Sequence, residues 1–382
     1  MRTTTVKFLN KDKSTFFPIL RERIEAYFVE TAHSKQGAGG MVVKGLFMMA
    51  LLLVPYGLII SNQFSLPAML ALVVLMGIGK AGVGMAVMHD ANHGSFSSKN
   101  WVNNLFGASL FLIGGNVKNW KTQHNTLHHT YTNIHNVDED ITGKPWLRLC
   151  PSEVRKPYHR FQFIYAFGLY GLMTFSFLAK DFRLALSYNR QHASGNRTVT
   201  PFSRHDMGVL LISKLAYGLF IAGIPLLTTD LTFGQWLIGF FVLHFVAGLI
   251  LSLVFQLAHI VEGANQPLPN ESGSILNAWA IHQVQTTANF RCPRLLSWYI
   301  GGLDYQIEHH LFPTISHRHY PALSTIVRQT AIEHGIRYNQ KPSFGAALQS
   351  HVQMLIDLGS DVSCHTTNSY PTSKLEKSLR RQ

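Results

Sequence analysis

The chain has 382 residues, of which 47% are hydrophobic and only 14% are charged, and its formal net charge is +13. Soluble domains carry about 25% charged residues, so this composition indicates a protein that lies partly in lipid. The basic residues form no stripe interleaved with aromatic residues, which argues against nucleic acid and leaves anionic lipid or an acidic protein as partners.

Apolar stretches long enough to cross a membrane occur four times, since a crossing helix needs about 20 apolar residues. They are 41–60, 66–88, 207–227 and 232–258. The first two flank the uncharged segment 61–65 and the last two flank 228–230, so we predict two helical hairpins. Basic residues concentrate at the other ends of these hairpins: Arg21, Arg23, Lys35, Lys44, Arg190, Arg197 and Arg204. By the positive-inside rule, those ends are expected to be cytoplasmic.

Two further apolar segments need a separate interpretation. Leu105–Gly115 is too short to cross, and Phe161–Ala179 has basic residues on both sides. If the second segment crossed alone, the histidines before and after it would lie on opposite sides of the membrane. We therefore predict that both segments are interfacial or re-entrant helices.

The expected fold is an all-α integral membrane protein with four transmembrane helices in two hairpins, interfacial helices and a cytoplasmic cap that carries a histidine-rich site. We divide the chain into a cytoplasmic N-terminal segment (1–40), a catalytic membrane domain (41–340) and a C-terminal segment (341–382). The first forty residues are polar and show no cleavable signal pattern. The final stretch, Ser360–Gln382, is expected to be a disordered polar tail.

Three histidine clusters lie beside the apolar stretches. They are His89-Asp-Ala-Asn-His93, His124-Asn-Thr-Leu-His128-His129 and Gln306-Ile-Glu-His309-His310. A spacing of four on a helix puts two side chains on one face, about 5–6 Å apart at Cβ, so His89/His93 and His124/His128 can each hold one metal. Seven imidazoles exceed the needs of one tetrahedral site, and we predict a two-metal centre at the membrane surface.

Other histidines are less clear from the sequence. His259 ends the fourth apolar stretch at the depth of the clusters, and we favour a ligand there over a histidine facing lipid headgroups. His282 could be a ligand or a substrate contact, whereas His135, His317 and His319 have no spacing argument and are left as surface or supporting groups. Within the apolar stretches, Lys80 is expected to snorkel toward the interface, and His244 lies too deep to join the metals.

Iron is the metal that we expect, because two irons of coordination number five or six use seven or eight nitrogens, whereas zinc rarely does. Nearby carboxylates are placed to accept the second ring N–H of the ligands. They are Asp90, Asp138, Asp140, Asp304 and Glu308. The segment 138–140 could equally be a solvated acidic loop. An iron pair can activate O₂ and take hydrogen from an unactivated C–H bond, which lipid chains supply.

With these motifs in order, the chain resembles the membrane fatty acid desaturases of the front-end type. Supporting matches are Trp120-Lys-Thr-Gln123, Tyr131-Thr-Asn-Ile134 and Gly301-Gly-Leu-Asp-Tyr305, and the similarity covers roughly residues 40–340. The resemblance implies a four-span fold, a non-haem di-iron centre and O₂-dependent insertion of a double bond into an acyl chain. Many relatives have histidine at the position of Gln306, and glutamine there resembles the front-end type. Front-end enzymes insert the new double bond between an existing double bond and the carboxyl end.

Many front-end relatives carry a fused cytochrome b5 domain with a His-Pro-Gly-Gly motif, which this sequence lacks. We therefore expect a separate electron donor, either a ferredoxin or cytochrome b5 with its reductase. The chain looks most like bacterial linoleoyl-CoA and acyl-lipid desaturases, which favours a bacterial inner membrane over the endoplasmic reticulum. Three scattered cysteines, Cys150, Cys292 and Cys364, predict no disulfide framework and suit a reducing cytoplasm.

The predicted enzyme is thus a desaturase of acyl-CoA or acyl-lipid chains. Its predicted iron ligands are His89, His93, His124, His128, His129, His259, His309 and His310, with Gln306 behind the ligands or facing the substrate. A hydroxylase or related oxygenase on the same scaffold is the alternative, because its ligands would be the same. A metal transporter would place its ligands at mid-membrane depth, whereas these clusters fall at the ends of the apolar stretches.

Overall fold

The computed structural model describes residues 6–11 and 13–360. The predicted tail Ser360–Gln382 lies outside the described residues, except for Ser360, and so does Cys364. Most of the described chain is helical, as expected for the all-α class. Four two-residue strands make two small parallel pairs, Lys7–Phe8 with Ser274–Ile275 and Asn289–Phe290 with Gln340–Lys341.

Four helices are long and apolar enough to cross a membrane: Gly39–Ile60, Leu66–His93, Arg204–Thr228 and Phe233–His259. They are named spans 1 to 4 below. The sequence prediction of four such helices is confirmed, and the largest difference in a boundary is at the end of span 2, which continues to His93. Spans 2 and 3 each contain one turn of π-helix, Gly84–Met88 and Leu219–Gly223.

Shorter helices fill the remainder of the described chain. Those before span 3 are Phe16–Thr31, Asn100–Gly107, Ser109–Leu112, Val117–Trp120, the π-helix Lys121–His128, His129–Tyr131, the 3₁₀ turn Pro157–Phe161, Gln162–Gly171 and Met173–Ala193. Those after span 4 are Trp279–Thr286, Arg294–Tyr299, Gln306–Leu311, the 3₁₀ turn His317–His319, Tyr320–Glu333 and Phe344–Gly359.

The apolar segment 161–179 does not form one straight helix. Helices Pro157–Gly171 and Met173–Ala193 meet at an angle of 72°, which is typical of a re-entrant loop or a broken span. The segment 105–115 is likewise divided, between Asn100–Gly107 and Ser109–Leu112. Both segments are therefore interrupted helices, and their interfacial or re-entrant placement stays a prediction.

Spans 1 and 2 pack closely because glycine lets their backbones approach. A Cβ atom added at Gly79 would lie 2.5–2.7 Å from backbone atoms of Leu51 and Leu52, and one at Gly77 would lie 2.8 Å from the side chain of Val246 in span 4. Small residues at such contacts allow dense helix packing without a hydrophobic driving force in lipid. Gly77 and Gly79 of span 2 therefore serve helix packing.

Lys80 does not snorkel, so that prediction was wrong. Its side chain is 1% exposed, and its Nζ donates to the Tyr217 hydroxyl at 3.0 Å and lies 3.3 Å from Nδ1 of His244. His244 also contacts the hydroxyls of Thr174 at 2.9 Å and Tyr217 at 2.9 Å. A buried amine in lipid needs polar partners, and spans 3 and 4 supply them here.

The third histidine cluster rests on a separate core, formed by the N-terminal helix Phe16–Thr31 and by residues 280–336. The helix Phe16–Thr31 has a buried apolar residue at every fourth position: Phe16, Leu20, Ile24 and Phe28. This buried face packs against helix Tyr320–Glu333. Ile307 and Leu311 of helix Gln306–Leu311 belong to the same core. The N-terminal segment therefore supports the helix that presents His309 and His310.

Candidate metal centre

The predicted ligands come from five elements that meet at one end of the helical bundle. Span 2 ends on His89 and His93, and span 4 ends on His259. The π-helix Lys121–His128, its continuation and the helix Gln306–Leu311 bring the remaining five histidines. All eight predicted ligands lie in one continuous group of imidazoles.

The first metal cluster consists of His89, His93, His124 and His309. One ring nitrogen of each lies within 4.8 Å of one ring nitrogen of every other member. The Nε2 atoms of His89 and His124 are only 3.2 Å apart. Nitrogen lone pairs that face each other at this distance are the arrangement that a shared cation stabilises.

The second metal cluster consists of His128, His259 and His310, whose ring nitrogens also lie within 4.8 Å of one another. His129 lies between the two clusters. Its ring centroid is 4.7 Å from that of His93 and 4.3 Å from that of His310, and its Nε2 is 3.3 Å from Nε2 of His124. The eight imidazoles therefore divide into two sites, with one ring in contact with both.

The structure divides the second histidine motif differently from the sequence prediction. His124 and His128 were expected to share one metal, but they belong to different clusters. The reason is the π-helix over Lys121–His128, in which hydrogen bonds run from residue i to i+5. That wider turn aligns His124 with His129, five residues on.

Unpartnered ring nitrogens show that the site fits metal ions. Seven of the eight rings have at least one buried nitrogen with no hydrogen-bond partner among the described residues: His89, His93, His128, His129, His259, His309 and His310. An unpaired buried polar atom costs about 1–3 kcal/mol. Native proteins rarely leave several such atoms close together, and a bound cation would give each of them a partner.

Several of the opposite ring nitrogens are held by hydrogen bonds. His128 Nδ1 lies 3.1 Å from Oδ2 of Asp138, His309 Nδ1 lies 3.2 Å from the Tyr320 hydroxyl, and His310 Nδ1 lies 2.9 Å from Oε1 of Gln283. In each pair the ring can donate through Nδ1, which leaves Nε2 as the metal-binding atom. Such partners fix the tautomer and the orientation of a metal ligand.

Carboxylates near the motifs have mixed roles. Asp138 supports His128 as predicted, and Asp140 lies 3.6 Å from the same Nδ1. Asp90 lies 3.5 Å from His89 Nδ1, but its stronger contact, at 2.6 Å, is with Nδ1 of His317. Asp138 is buried, so the solvated-loop alternative does not describe it.

For Asp304 and Glu308 the prediction of a ligand partner was wrong. Asp304 accepts from the Ser297 hydroxyl at 2.7 Å, and Glu308 accepts from Asn289 at 2.7 Å and from the Tyr338 hydroxyl at 2.9 Å. Burial raises the pKa of Glu308 to about 7 despite these two donors. Both carboxylates stabilise the core behind the third motif and contact no metal-cluster imidazole.

Burial also sets the charge state of the imidazoles outside the spans. Burial, followed by repulsion from neighbouring imidazoles, lowers the pKa of His124, His129, His309 and His310 well below the usual 6.5. Burial acts in the same direction on His128, but the Asp138 and Asp140 carboxylates outweigh it and raise the pKa of that ring. Neutral imidazole is the form that binds metal.

The remaining polar candidates lie outside the two clusters. His282 Nε2 bonds the backbone oxygen of Thr132 at 2.9 Å, and His135 pairs with Glu153 at 3.1 Å. Gln306 is buried at the start of the third-motif helix, and its side chain has no hydrogen bond with the described residues. His317 lies between Asp90 and Lys44, whose Nζ is 2.8 Å from its Nε2.

Asn133 is a supporting residue that the sequence analysis did not assign. Its backbone has a φ of 58°, and its side-chain nitrogen donates to the backbone oxygens of His259 at 3.0 Å and Thr286 at 3.1 Å. Asparagine tolerates this left-handed conformation better than most residues. It therefore ties the loop after the second motif to the end of span 4, which carries His259.

The fold and the site together define a protein of the membrane-bound class, with four helices long and apolar enough to cross a bilayer and a buried group of histidines that could hold metal ions. The fatty acid desaturase family model matches residues 65–342. Among curated proteins, the chain is 33% identical to the sn-1 linoleoyl-lipid 6-desaturase of Synechocystis sp., over 93% of this chain and 98% of that protein. It is 32% identical to an acyl-lipid (8-3)-desaturase of Physcomitrium patens, over 94% and 74%, and 33% identical to Delta(5) fatty acid desaturase A of Dictyostelium discoideum, over 91% and 76%.

The chain belongs to the fatty acid desaturase family. These relatives confirm the predicted front-end type, and the protein is an oxidoreductase of the desaturase class. The hydroxylase alternative is not favoured.

Proposed function

We propose that this protein uses two iron ions and O₂ to insert a double bond into the acyl chain of a membrane lipid, between an existing double bond and the carboxyl end. The observation that carries the proposal is the pair of imidazole clusters whose unpartnered nitrogens face one another. The relatives' names support the substrate, since two of those described above act on acyl lipids. Acyl-CoA is the alternative carrier.

The proposed ligands of one iron are His89, His93, His124 and His309, and those of the other are His128, His259 and His310. His129, in contact with both clusters, completes the set of eight. Desaturation is an oxidation, which favours iron because zinc has no redox chemistry. When bound and reduced, the iron pair would supply O₂ activation: –CH₂–CH₂– plus O₂, two electrons and two protons gives –CH=CH– and two water molecules.

The chain's own residues would then fix where the acyl chain reacts. Asp138, Tyr320 and Gln283 hold three imidazoles in one orientation. Trp120 stacks on His124 with ring centroids 4.4 Å apart and also lies 5.4 Å from His93. This indole covers the first cluster and would exclude water from it. Gln306 is proposed to face the substrate or to lie behind the ligands.

We also propose that all four spans cross the membrane, in two hairpins, with the metal centre on the cytoplasmic face. Spans 2 and 4 end at the same group of imidazoles, which supports an even number of crossings between them. The bent pair Pro157–Ala193 would then enter and leave on one side. The segments 1–40 and 341–382 would flank the desaturase domain 41–340, and the residues after span 4 would form the cytoplasmic cap.

A separate protein is proposed to deliver the electrons, either a ferredoxin or cytochrome b5 with its reductase. The net charge of +13 supports an acidic donor, because complementary charge speeds encounter. The membrane is proposed to be the bacterial inner membrane.

The function is tested by expressing the chain in a host fed defined polyunsaturated fatty acids, with mass spectrometry of the lipids and metal analysis of the purified protein. The expected product is lighter than its precursor by two hydrogens, and the new double bond lies on the carboxyl side. His128→Ala should lose both iron and activity. His135→Ala is the matched control, since His135 is near the second motif but pairs with Glu153. A product heavier by one oxygen, or protein without iron, would overturn the proposal.

A further inference from the structure

A cavity of about 560 Å³, most of whose lining residues are polar, lies beside the second histidine motif. Its walls come from the π-helix Lys121–His128, the residues just before it, and the first turns of span 3. Thr122 and Asn125, which flank His124 in the sequence, both line it. The cavity therefore shares a helix with two of the proposed iron ligands.

Positive charge in this cavity is not fully compensated. Lys118 donates to Asp206 Oδ2 at 2.6 Å and to the Pro201 backbone oxygen at 2.7 Å, so these two opposite charges cancel. The Lys121 side chain lines the same cavity, and its amine has no ion pair or hydrogen bond with the described residues. The His205 side chain also lines the cavity without such a partner. The cavity thus offers one free lysine, beside an exposed histidine, to an anion.

The position of the cavity matches the depth of a lipid headgroup. His205 and Asp206 belong to the first turn of span 3, and an apolar helix of this kind begins where the hydrocarbon of the bilayer begins. The Asn125 side-chain nitrogen donates to the backbone oxygen of Asn92 at 3.0 Å, directly before the proposed ligand His93. The cavity therefore lies both at the interface and against the metal centre.

The proposed reaction requires a polar group at this place. Front-end insertion puts the reacting carbons near the carboxyl end, so only a few carbon–carbon bonds separate them from the ester or thioester. The headgroup or carrier must then lie close to the iron pair, whichever lipid is used. A cavity far from the two metal clusters could not hold this headgroup or carrier.

We propose that this cavity binds the anionic phosphate of the acyl carrier and that Lys121 pairs with it. The inference rests on the proposed function, because it names the carrier that the same site would accept. Phosphate occurs both in phospholipids and in coenzyme A. Lysine is well suited to either as a compact charge with three donors.

The test compares three linoleoyl substrates with the iron-loaded protein in nanodiscs of neutral lipid: a phosphatidylglycerol, a coenzyme A thioester and an uncharged galactolipid. Lys121→Ala should raise KM about tenfold for the phosphate-bearing substrate, the effect of losing one charged contact, with little change in kcat. Lys121→Arg should restore most of the affinity. Lys99→Ala is the matched control, since Lys99 is an exposed lysine outside the cavity.

Binding of each lipid, measured by native mass spectrometry without turnover, separates this proposal from the proposed function. If phosphatidylglycerol binds in a Lys121-dependent way but no substrate is desaturated, the cavity assignment stands and the function fails. Lys121-dependent use of the coenzyme A thioester alone assigns the phosphate to that carrier. Equal KM values for Lys121→Ala and Lys99→Ala with both phosphate-bearing substrates would overturn the inference, as would preferred binding of the galactolipid. Iron content and melting temperature confirm that each variant is folded.

Discussion

Replacing Asp138 with asparagine should weaken binding of one of the two irons about 10- to 100-fold, the usual effect of removing a partner that orients a histidine ligand. The carboxylate accepts three contacts. Oδ2 receives His128 Nδ1 at 3.1 Å and the Asn133 backbone N–H at 2.8 Å, while Oδ1 receives the Asp140 backbone N–H at 3.0 Å. An asparagine side chain has one acceptor oxygen, so in either orientation its NH₂ group faces at least one of these donors.

The free energies agree with that expected range. One buried donor left without an acceptor costs about 1–3 kcal/mol, and each tenfold change in affinity corresponds to about 1.4 kcal/mol. A loss of 10- to 100-fold is therefore what a single unmatched donor at this carboxylate would cause. The second metal cluster should be affected more than the first, because Asp138 contacts His128 alone among the proposed ligands.

The measurement is iron per chain at equilibrium with a graded series of ferrous chelator, read by mass spectrometry of the metal, with circular dichroism to confirm folding. Glu139→Gln is the matched control, since Glu139 belongs to the same acidic segment and accepts from the Tyr188 hydroxyl at 3.3 Å. Chelation curves for Asp138→Asn and Glu139→Gln that coincide would refute the role given to Asp138.

Three further predictions concern stability and reactivity. Tyr217→Phe removes a hydroxyl that binds Lys80 and should destabilise the protein by about 1–3 kcal/mol, seen as a lower melting temperature in detergent. Gly79→Ala should also cost about 1–3 kcal/mol because its Cβ would meet the backbone of span 1, whereas Gly57→Ala, with nothing within 4 Å, should not. Burial raises the pKa of Cys292 to about 12. Its alkylation in the folded protein should be slow at pH 8 and rise about tenfold per pH unit to pH 10, because the thiolate reacts.

Each of these three predictions has a result that would contradict it. An unchanged melting temperature in the tyrosine variant would mean that the buried amine needs no hydroxyl. Equal melting temperatures of the two glycine variants would mean that close backbone approach does not limit span packing. Alkylation that levels off near pH 9, as for an ordinary thiol, would contradict the environment described for Cys292. Peptide mass spectrometry after brief labelling distinguishes these rate profiles.

The sequence was sufficient for the spans and for the list of candidate ligands. Hydropathy is a local property, so the four apolar helices could be found by their length alone. Spacing of four residues likewise identified His89 and His93 as neighbours. The rings of these two residues do lie together, with centroids 4.8 Å apart. Local patterns were therefore reliable wherever the helix is a regular α-helix.

Partnerships across the chain could not be predicted in this way. Asp90 binds His317, which lies 227 residues away, and Lys80 contacts His244, 164 residues away. No periodicity connects such pairs, since tertiary packing alone brings them together. The prediction that His124 and His128 share one metal failed for a different reason. The spacing rule assumes the 3.6 residues per turn of an α-helix, whereas this segment is a π-helix.

The wide turn of span 2 lies directly before His89 and His93, and it holds one more residue than an α-helical turn of the same length would. Deleting one residue from Gly84–Met88 would convert this turn into an ordinary α-helical turn, so both imidazoles would still face the other proposed ligands. Deleting a second residue would rotate everything beyond it by about 100° and turn His89 and His93 away although no ligand had been changed.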